Sequence, residues 1–269
     1  MLAACHSAVE PPLPPNAQAM TAPAVYTTWW EMTEACSGLV GQLSQVRWYQ
    51  VPGSETLPYQ GLDNVVGYWS AASNSIVLAG QVTLDGPSVR HEMLHSLLQS
   101  PLHPRGDFVI RCAGVVECIE QCLIDGGPPP TPDPSIPLIS AADLVVALDV
   151  APSSPSATTN NGFFAVTVSA TNPLDTPARV SLPDSSRSNL GTTFSYFIQG
   201  PFGARSNVVR PTDMSAVTFA PHERKIQVFD FRVGFDTAQG MLQPGDYHVM
   251  GRFGPATTPW VSKYFALQP

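Results

Sequence analysis

The residues with the clearest chemistry are His91, Glu92 and His95, set in Arg90-His91-Glu92-Met93-Leu94-His95. On an α-helix, side chains four positions apart leave the same face about one turn apart, so the two imidazoles can converge on one tetrahedral cation. Glu92 is rotated about 100° from His91 and so flanks the cation instead of ligating it. From there its carboxylate can take a proton from a water molecule whose pKa the cation has drawn down towards ~7. The pattern therefore reads as a Zn2+ site with Glu92 as general base for a hydrolysis.

Two histidines do not make a catalytic zinc site, which takes three protein ligands and keeps one position open. His103 is the leading third ligand. It lies in Ser100-Pro101-Leu102-His103-Pro104-Arg105-Gly106-Asp107-Phe108, where prolines and a glycine turn the backbone after the helix and can bring the imidazole back to the metal. Glu117 and Glu120, on a following helical segment, and Asp107 offer carboxylates instead, which zinc also accepts.

With this motif, a short loop, a third His and an aromatic residue, residues 65–112 resemble the compact zincin metallopeptidases. The resemblance implies His91, His95 and His103 as ligands, Glu92 as the base and peptide-bond hydrolysis as the activity. It also implies the rival ligands: Glu117 or Glu120 in the gluzincin manner, Asp107 in the aspzincin manner. Metzincins carry Gly three residues after the second His and a third His three further on, where this chain has Leu98 and Pro101.

The elements that must position these residues are an Asp85 cap, Pro87 in the first helical turn and a stop at Pro101. Val89, Met93, Leu97 and Leu98 form the expected buried stripe, opposite His91, His95 and Gln99. Upstream, residues 27–39 read as a helix and 45–51, 65–70 and 75–79 as strands; downstream, 115–123 reads as another helix. Helix, strands and then the ligand-bearing helix suit a small α+β core. Residues 75–79, directly before that helix, are the candidate edge strand on which an extended substrate could add.

The opening Leu2-Ala3-Ala4-Cys5 resembles a bacterial lipobox, which implies lipidation at Cys5 and an envelope location. The proline-rich stretch from His6 to Ala24 then reads as an extended tether. Cys36, Cys112, Cys118 and Cys122 remain as an even set for two disulfides in an oxidising compartment. Three pairings are open; the spacing suggests Cys36 with Cys112 and Cys118 with Cys122. No apolar run reaches the length of a membrane-spanning helix.

After the Pro-rich boundary at Gly126-Gly127-Pro128-Pro129-Pro130 the helical period disappears. Alternating runs at 144–150, 163–171, 178–182, 193–199, 225–233, 246–253 and 262–267 predict a β-sandwich. Val166-Thr167-Val168-Ser169-Ala170-Thr171-Asn172-Pro173 and Leu242-Gln243-Pro244-Gly245-Asp246-Tyr247-His248-Val249 resemble segments of bacterial immunoglobulin-like modules, and a spacer or scaffold role is the first expectation. His222 and His248 read as ordinary strand or loop histidines.

The organisation is thus a lipobox and tether over 1–24, a zincin-like domain over 25–126, a linker over 127–138 and an immunoglobulin-like sandwich over 139–269. The expected function is zinc-dependent peptide hydrolysis in a secreted or surface-anchored bacterial protein, with a peptide or protein as partner. The alternative is a non-catalytic surface binding protein or inhibitor module with a structural or vestigial zinc. A net charge of −8 with two lysines argues against nucleic acid, whose binding needs clustered cations to displace counterions. Contact with a membrane is expected only through a lipid on Cys5.

Overall fold

The computed structural model describes residues 13–59, 62–118, 133–182, 194–207, 215–234, 240–254 and 258–269. Cys5, Glu120, Cys122 and residues 127–132 of the expected linker lie outside them. The chain has mixed α+β content, with both described α-helices in the first half and a run of strands in the second.

The first half contains β1 (Gln18–Ala19), α1 (Val25–Ser37), β2 (Arg47–Val51), β3 (Leu57–Tyr59), β4 (Leu62–Val65), β5 (Gly67–Ser70), β6 (Ser75–Ala79) and α2 (Gly86–Leu98). One sheet runs in the order β1-β2-β6-β5, and β3 and β4 form a separate hairpin. β2 and β6 are parallel, whereas β5 returns antiparallel to β6 through a tight turn in which Asn74 takes φ +43°. Asparagine tolerates that region better than other side chains. Its amide also ties the turn down: Trp69 Nε1 and Ser96 Oγ donate to Asn74 Oδ1 at 2.9 and 3.1 Å.

Three expectations change here. Residues 75–79 form an interior strand, not the edge: Ile76, Val77, Leu78 and Ala79 are all fully buried, as a continuous apolar run flanked by strands on both sides requires. The edge position falls to β5. The expected tether is docked in part, since Gln18 and Ala19 pair with β2 and Met20 and Ala22 pack on the core around Trp29, Trp48 and Met93. The stripe on α2 is wider than its apolar residues, because Arg90, Glu92, His95 and Ser96 are buried with Val89, Met93 and Leu94 while Leu97 and Leu98 keep partial exposure. Such a helix is central, packed by α1 on one side and by β5 and β6 on another.

A disulfide joins Cys36 at the end of α1 to Cys112, 76 residues on. Cys118 is disulfide-bonded as well. Residues 115–118 are not helical: Val115 N–H and Val116 N–H both turn back to the Cys112 carbonyl, at 2.9 and 3.1 Å, and the remainder of the expected 115–123 helix lies outside the described residues.

The second half contains β7 (Leu138–Ile139), β8 (Val145–Ala151), β9 (Phe163–Thr171), β10 (Ala178–Leu182), β11 (Phe194–Gly200), β12 (Gly203–Asn207), β13 (Ser215–Phe219), β14 (Arg224–Arg232), β15 (Gly245–Phe253) and β16 (Val261–Leu267). All seven expected strands occur within one residue of their expected ends. Sheet β14-β9-β8 faces sheet β12-β11-β15-β16 across Phe164, Val166 and Phe231 on one side and Ile198, Tyr247, Val249 and Phe265 on the other. A third sheet, β13-β10-β7, brings Val180 and Phe219 against Phe194 and Phe253. The two halves share apolar cores: Phe163 packs with Trp29, edge to face at 5.4 Å, and Ala165 and Val228 pack with Leu94, Phe108 and Cys112.

Candidate metal centre

α2 forms where the sequence places its start signals. The Asp85 side chain accepts from Ser88 N–H at 3.3 Å, Pro87 occupies the first turn, and Gln99 ends the helix in a left-handed conformation at φ +51°. The chain then bends through 100–105 and enters a single π-helical turn, Gly106–Arg111. Such a turn re-aims side chains by one residue relative to an α-helix and is frequent at functional sites.

This path brings His103 back over α2. The three Nε2 atoms form a near-equilateral triangle, 3.1 Å from His91 to His95, 3.1 Å from His91 to His103 and 3.2 Å from His95 to His103. The Nδ1 of His91 lies 2.6 Å from the Glu117 carbonyl and that of His95 2.8 Å from the Ser100 carbonyl. A carbonyl only accepts, so both Nδ1 atoms carry the hydrogen and both Nε2 atoms present lone pairs to the triangle.

Lone pairs aimed at one point repel unless a cation sits among them. Nitrogen donors about 2.0–2.1 Å from a tetrahedral ion stand about 3.3 Å apart, close to the observed triangle. The donor set therefore fits a metal ion, and His91, His95 and His103 are the group among the described residues that could hold one. Burial pushes His91 down to about 4, with His103 adding to the effect and the Glu117 carbonyl opposing it. Burial also drives His95 well below the ordinary imidazole range, helped by His91 and His103. Both are neutral at neutral pH, the form that binds metals.

Phe108, fully buried, supports the cluster from beneath, its ring centroid 4.9, 4.8 and 5.0 Å from those of His91, His95 and His103. The Cys36–Cys112 bridge anchors the far end of the same π-helical turn to α1. Glu92 is 5% exposed, accepts from the Trp69 backbone N–H on β5, and is raised by burial to about 8. Gly67 permits this approach: a Cβ there would lie 3.1 Å from Glu92 Cγ and 2.9 Å from Leu78 Cδ2.

Two of the three rival ligands, Asp107 and Glu117, are placed elsewhere. Asp107 pairs with Arg111 at 3.1 Å, and the Glu117 carboxylate accepts from Ser88 Oγ at 3.1 Å, near the start of α2. Glu117 reaches the triad through its backbone carbonyl alone. His222 pairs with Asp175 at 2.9 Å on the surface, and His248 stacks on Tyr264 in the second half of the chain. Sequence reasoning missed the carbonyls of Ser100 and Glu117, the Trp69 N–H and the role of Gly67, because backbone groups carry no residue signature.

Opposed shifts predict a stability maximum for the metal-free protein. Between about 4 and 6.5 the unfolded chain holds protons on histidine that folded His91 does not, so stability rises with pH through that window. Between 4.5 and about 8 folded Glu92 keeps a proton that the unfolded chain has lost, so its contribution falls as pH rises. His91 and His95 together outweigh Glu92 on the acid side, and Glu92 acts without them above 6.5. Thermal melts of chelator-treated protein are expected to peak near pH 6.5 and decline towards pH 8, and Glu92→Gln should flatten the alkaline decline.

No family model and no curated protein matches the chain. Among solved structures it is similar to a β-glucosidase of Erythrobacter marinus, at 14% identity and a TM-score of 0.27, over 46% of this chain and 15% of the other. It is also similar to the alkylpurine DNA glycosylase AlkC of Pseudomonas fluorescens bound to DNA containing an abasic site analog, at 14% identity and 0.28, over 48% and 31%. A β-glucosidase of Listeria innocua follows at 13% and 0.26, over 47% and 16%. The chain thus spans less than a third of each of these proteins, and likeness at such scores carries no inference about fold or function.

Proposed function

We propose that the chain is a zinc-dependent peptidase of the zincin type, secreted or held at a bacterial cell envelope. The observation that supports it most is the triangle of Nε2 atoms on His91, His95 and His103 with the buried Glu92 carboxyl following the first ligand. Three imidazole donors suit Zn2+ and leave a fourth position for solvent or substrate. When bound, zinc supplies Lewis acidity and makes a water molecule acidic enough to lose its proton near neutral pH.

The chain's own residues supply the rest. A Glu92 carboxylate oxygen takes the proton from the attacking water and returns it to the nitrogen of the leaving amine. Burial raises this carboxyl to about 8 in the metal-free chain, and a cation held by the three imidazoles would favour the carboxylate form that acts as base. The Trp69 N–H holds the carboxylate in place, and the carbonyls of Glu117 and Ser100 fix the tautomer and orientation of two ligand rings. β5 is one edge of its sheet, the other being β1, and touches Glu92 through Gly67 and Trp69. An extended peptide that adds to that edge by main-chain hydrogen bonds lies along the side of α2 that carries the base.

The Cys36–Cys112 bridge supports an oxidising compartment, in keeping with a lipidated Cys5. The second half is read as an immunoglobulin-like sandwich following a zincin-like domain. The test is hydrolysis of unfolded protein substrates by the full chain. Chelation is expected to abolish cleavage and one equivalent of zinc to restore it. A fully zinc-loaded protein that cleaves no peptide would favour the non-catalytic binding protein instead.

A further inference from the structure

Arg90 stands immediately before the first candidate ligand on α2 and is fully buried. A guanidinium persists there only when its donors are met. Its Nε donates to the Val115 carbonyl at 2.6 Å, and its Nη1 and Nη2 donate to the two carboxylate oxygens of Asp230 at 3.2 and 2.7 Å. Asp230 lies on β14, 140 residues away in sequence. The first turn of α2 closes tightly on this pair. A Cβ on Gly86 would fall 2.6 Å from an Asp230 oxygen and 2.7 Å from Arg90 Nη1.

The segment 112–117 is held between α2 and β14. From β14, Val228 N–H and Gln227 Nε2 donate to the Gly114 carbonyl at 2.8 and 3.1 Å. From the helix side, Arg90 holds Val115, Glu117 N–H donates to the Pro87 carbonyl at 3.1 Å, and His91 Nδ1 donates to the Glu117 carbonyl. The acceptor that orients His91 is therefore fixed by a strand of the C-terminal sheet.

We propose that β14 is part of the metal-holding unit and that Asp230 is a positioning residue for it. By clamping Arg90, Asp230 fixes the first turn of α2 and the 112–117 segment together, so that His91 meets His95 and His103 in one triangle. The inference rests on reading that triangle as a metal site. It makes the C-terminal sheets the frame on which the ligand helix is set, in place of the spacer that the sequence suggests. Groups that orient a metal ligand commonly govern affinity by about 10–100-fold, and Asp230 acts on one such group, the Glu117 carbonyl, through Arg90 and the 112–117 segment.

The test uses the full chain with Co2+ alone as probe, read by competition affinity and by visible absorption, which reports coordination geometry. Asp230→Asn removes the ionised partner. Arg90→Met/Asp230→Leu removes the clamp while leaving no buried charge, which keeps the fold accessible. Lys263→Met, which breaks the Lys263–Asp149 pair elsewhere on the same sheets, is the control. Folded clamp variants are expected to bind Co2+ about tenfold more weakly, with an altered spectrum, while the control keeps both. A folded double variant with unchanged affinity and spectrum would overturn the proposal, as would a control that weakens binding equally. Wild-type protein that takes up no Co2+ would overturn the metal reading itself and this inference with it.

Discussion

His103→Ala is expected to weaken Zn2+ binding on the order of a hundredfold or more, beyond what the loss of a ligand's orienting partner usually costs. The variant leaves two nitrogens from α2 and opens half of the coordination sphere. Asp107→Asn and Glu117→Gln are expected to change affinity little, because the first carboxylate pairs with Arg111 and the second with Ser88. Competition with a chromophoric chelator reads all three. The same ranking should appear in heat stability: a ligand at about 100 times its dissociation constant stabilises the native state by about 2.7 kcal/mol, and a hundredfold loss of affinity should cut that zinc-dependent increment to about 0.4 kcal/mol in His103→Ala alone. Zinc retained by His103→Ala but lost by either carboxylate variant would move the third ligand.

The histidine cluster was legible because it is carried by side chains with few substitutes, two of them at a helical spacing. His91 and His95 needed only a helix, and Asp85 with Pro87 supplied its start. His103 was reachable because two prolines and a glycine confine the intervening loop. The seven long strands were legible for a similar reason, since alternation along Phe163–Thr171 or Gly245–Phe253 is local information. β7, β12 and β13 escaped it: β7 is two residues long, and Gly203–Asn207 has no apolar alternation at all.

What was not legible is non-local. The edge position of β5 depends on which strands flank β6, and the run Ser75–Ala79 reads alike at an edge or in the interior. Gln18 and Ala19 sit in a proline-rich stretch whose composition suits a tether, yet two backbone pairings with β2 dock it. Arg90 sits beside the motif, but its partner Asp230 shares no local pattern with it. The burial of Arg90 therefore had no sequence signal, and neither did the contact that makes the C-terminal sheets part of the site.

Glu92→Gln should separate chemistry from structure within one residue. The amide keeps the shape of the side chain, and its oxygen can still accept from the Trp69 N–H. It cannot take a proton, so peptide hydrolysis is expected to fall by about 10²–10⁴-fold while zinc content stays at the wild-type level. Stability of the metal-free protein should move the other way. A buried carboxyl held at about 8 loses folding free energy by about 1.4 kcal/mol for each pH unit in which it alone keeps a proton the unfolded chain has lost, and the amide escapes this. The variant should therefore be less active at every pH and more stable above pH 7, a trade expected where a buried group is retained for function. Unchanged turnover would exclude Glu92 as the base, and loss of zinc would place it among the ligands. A fall in both activity and alkaline stability would mean that its burial serves packing and not proton transfer.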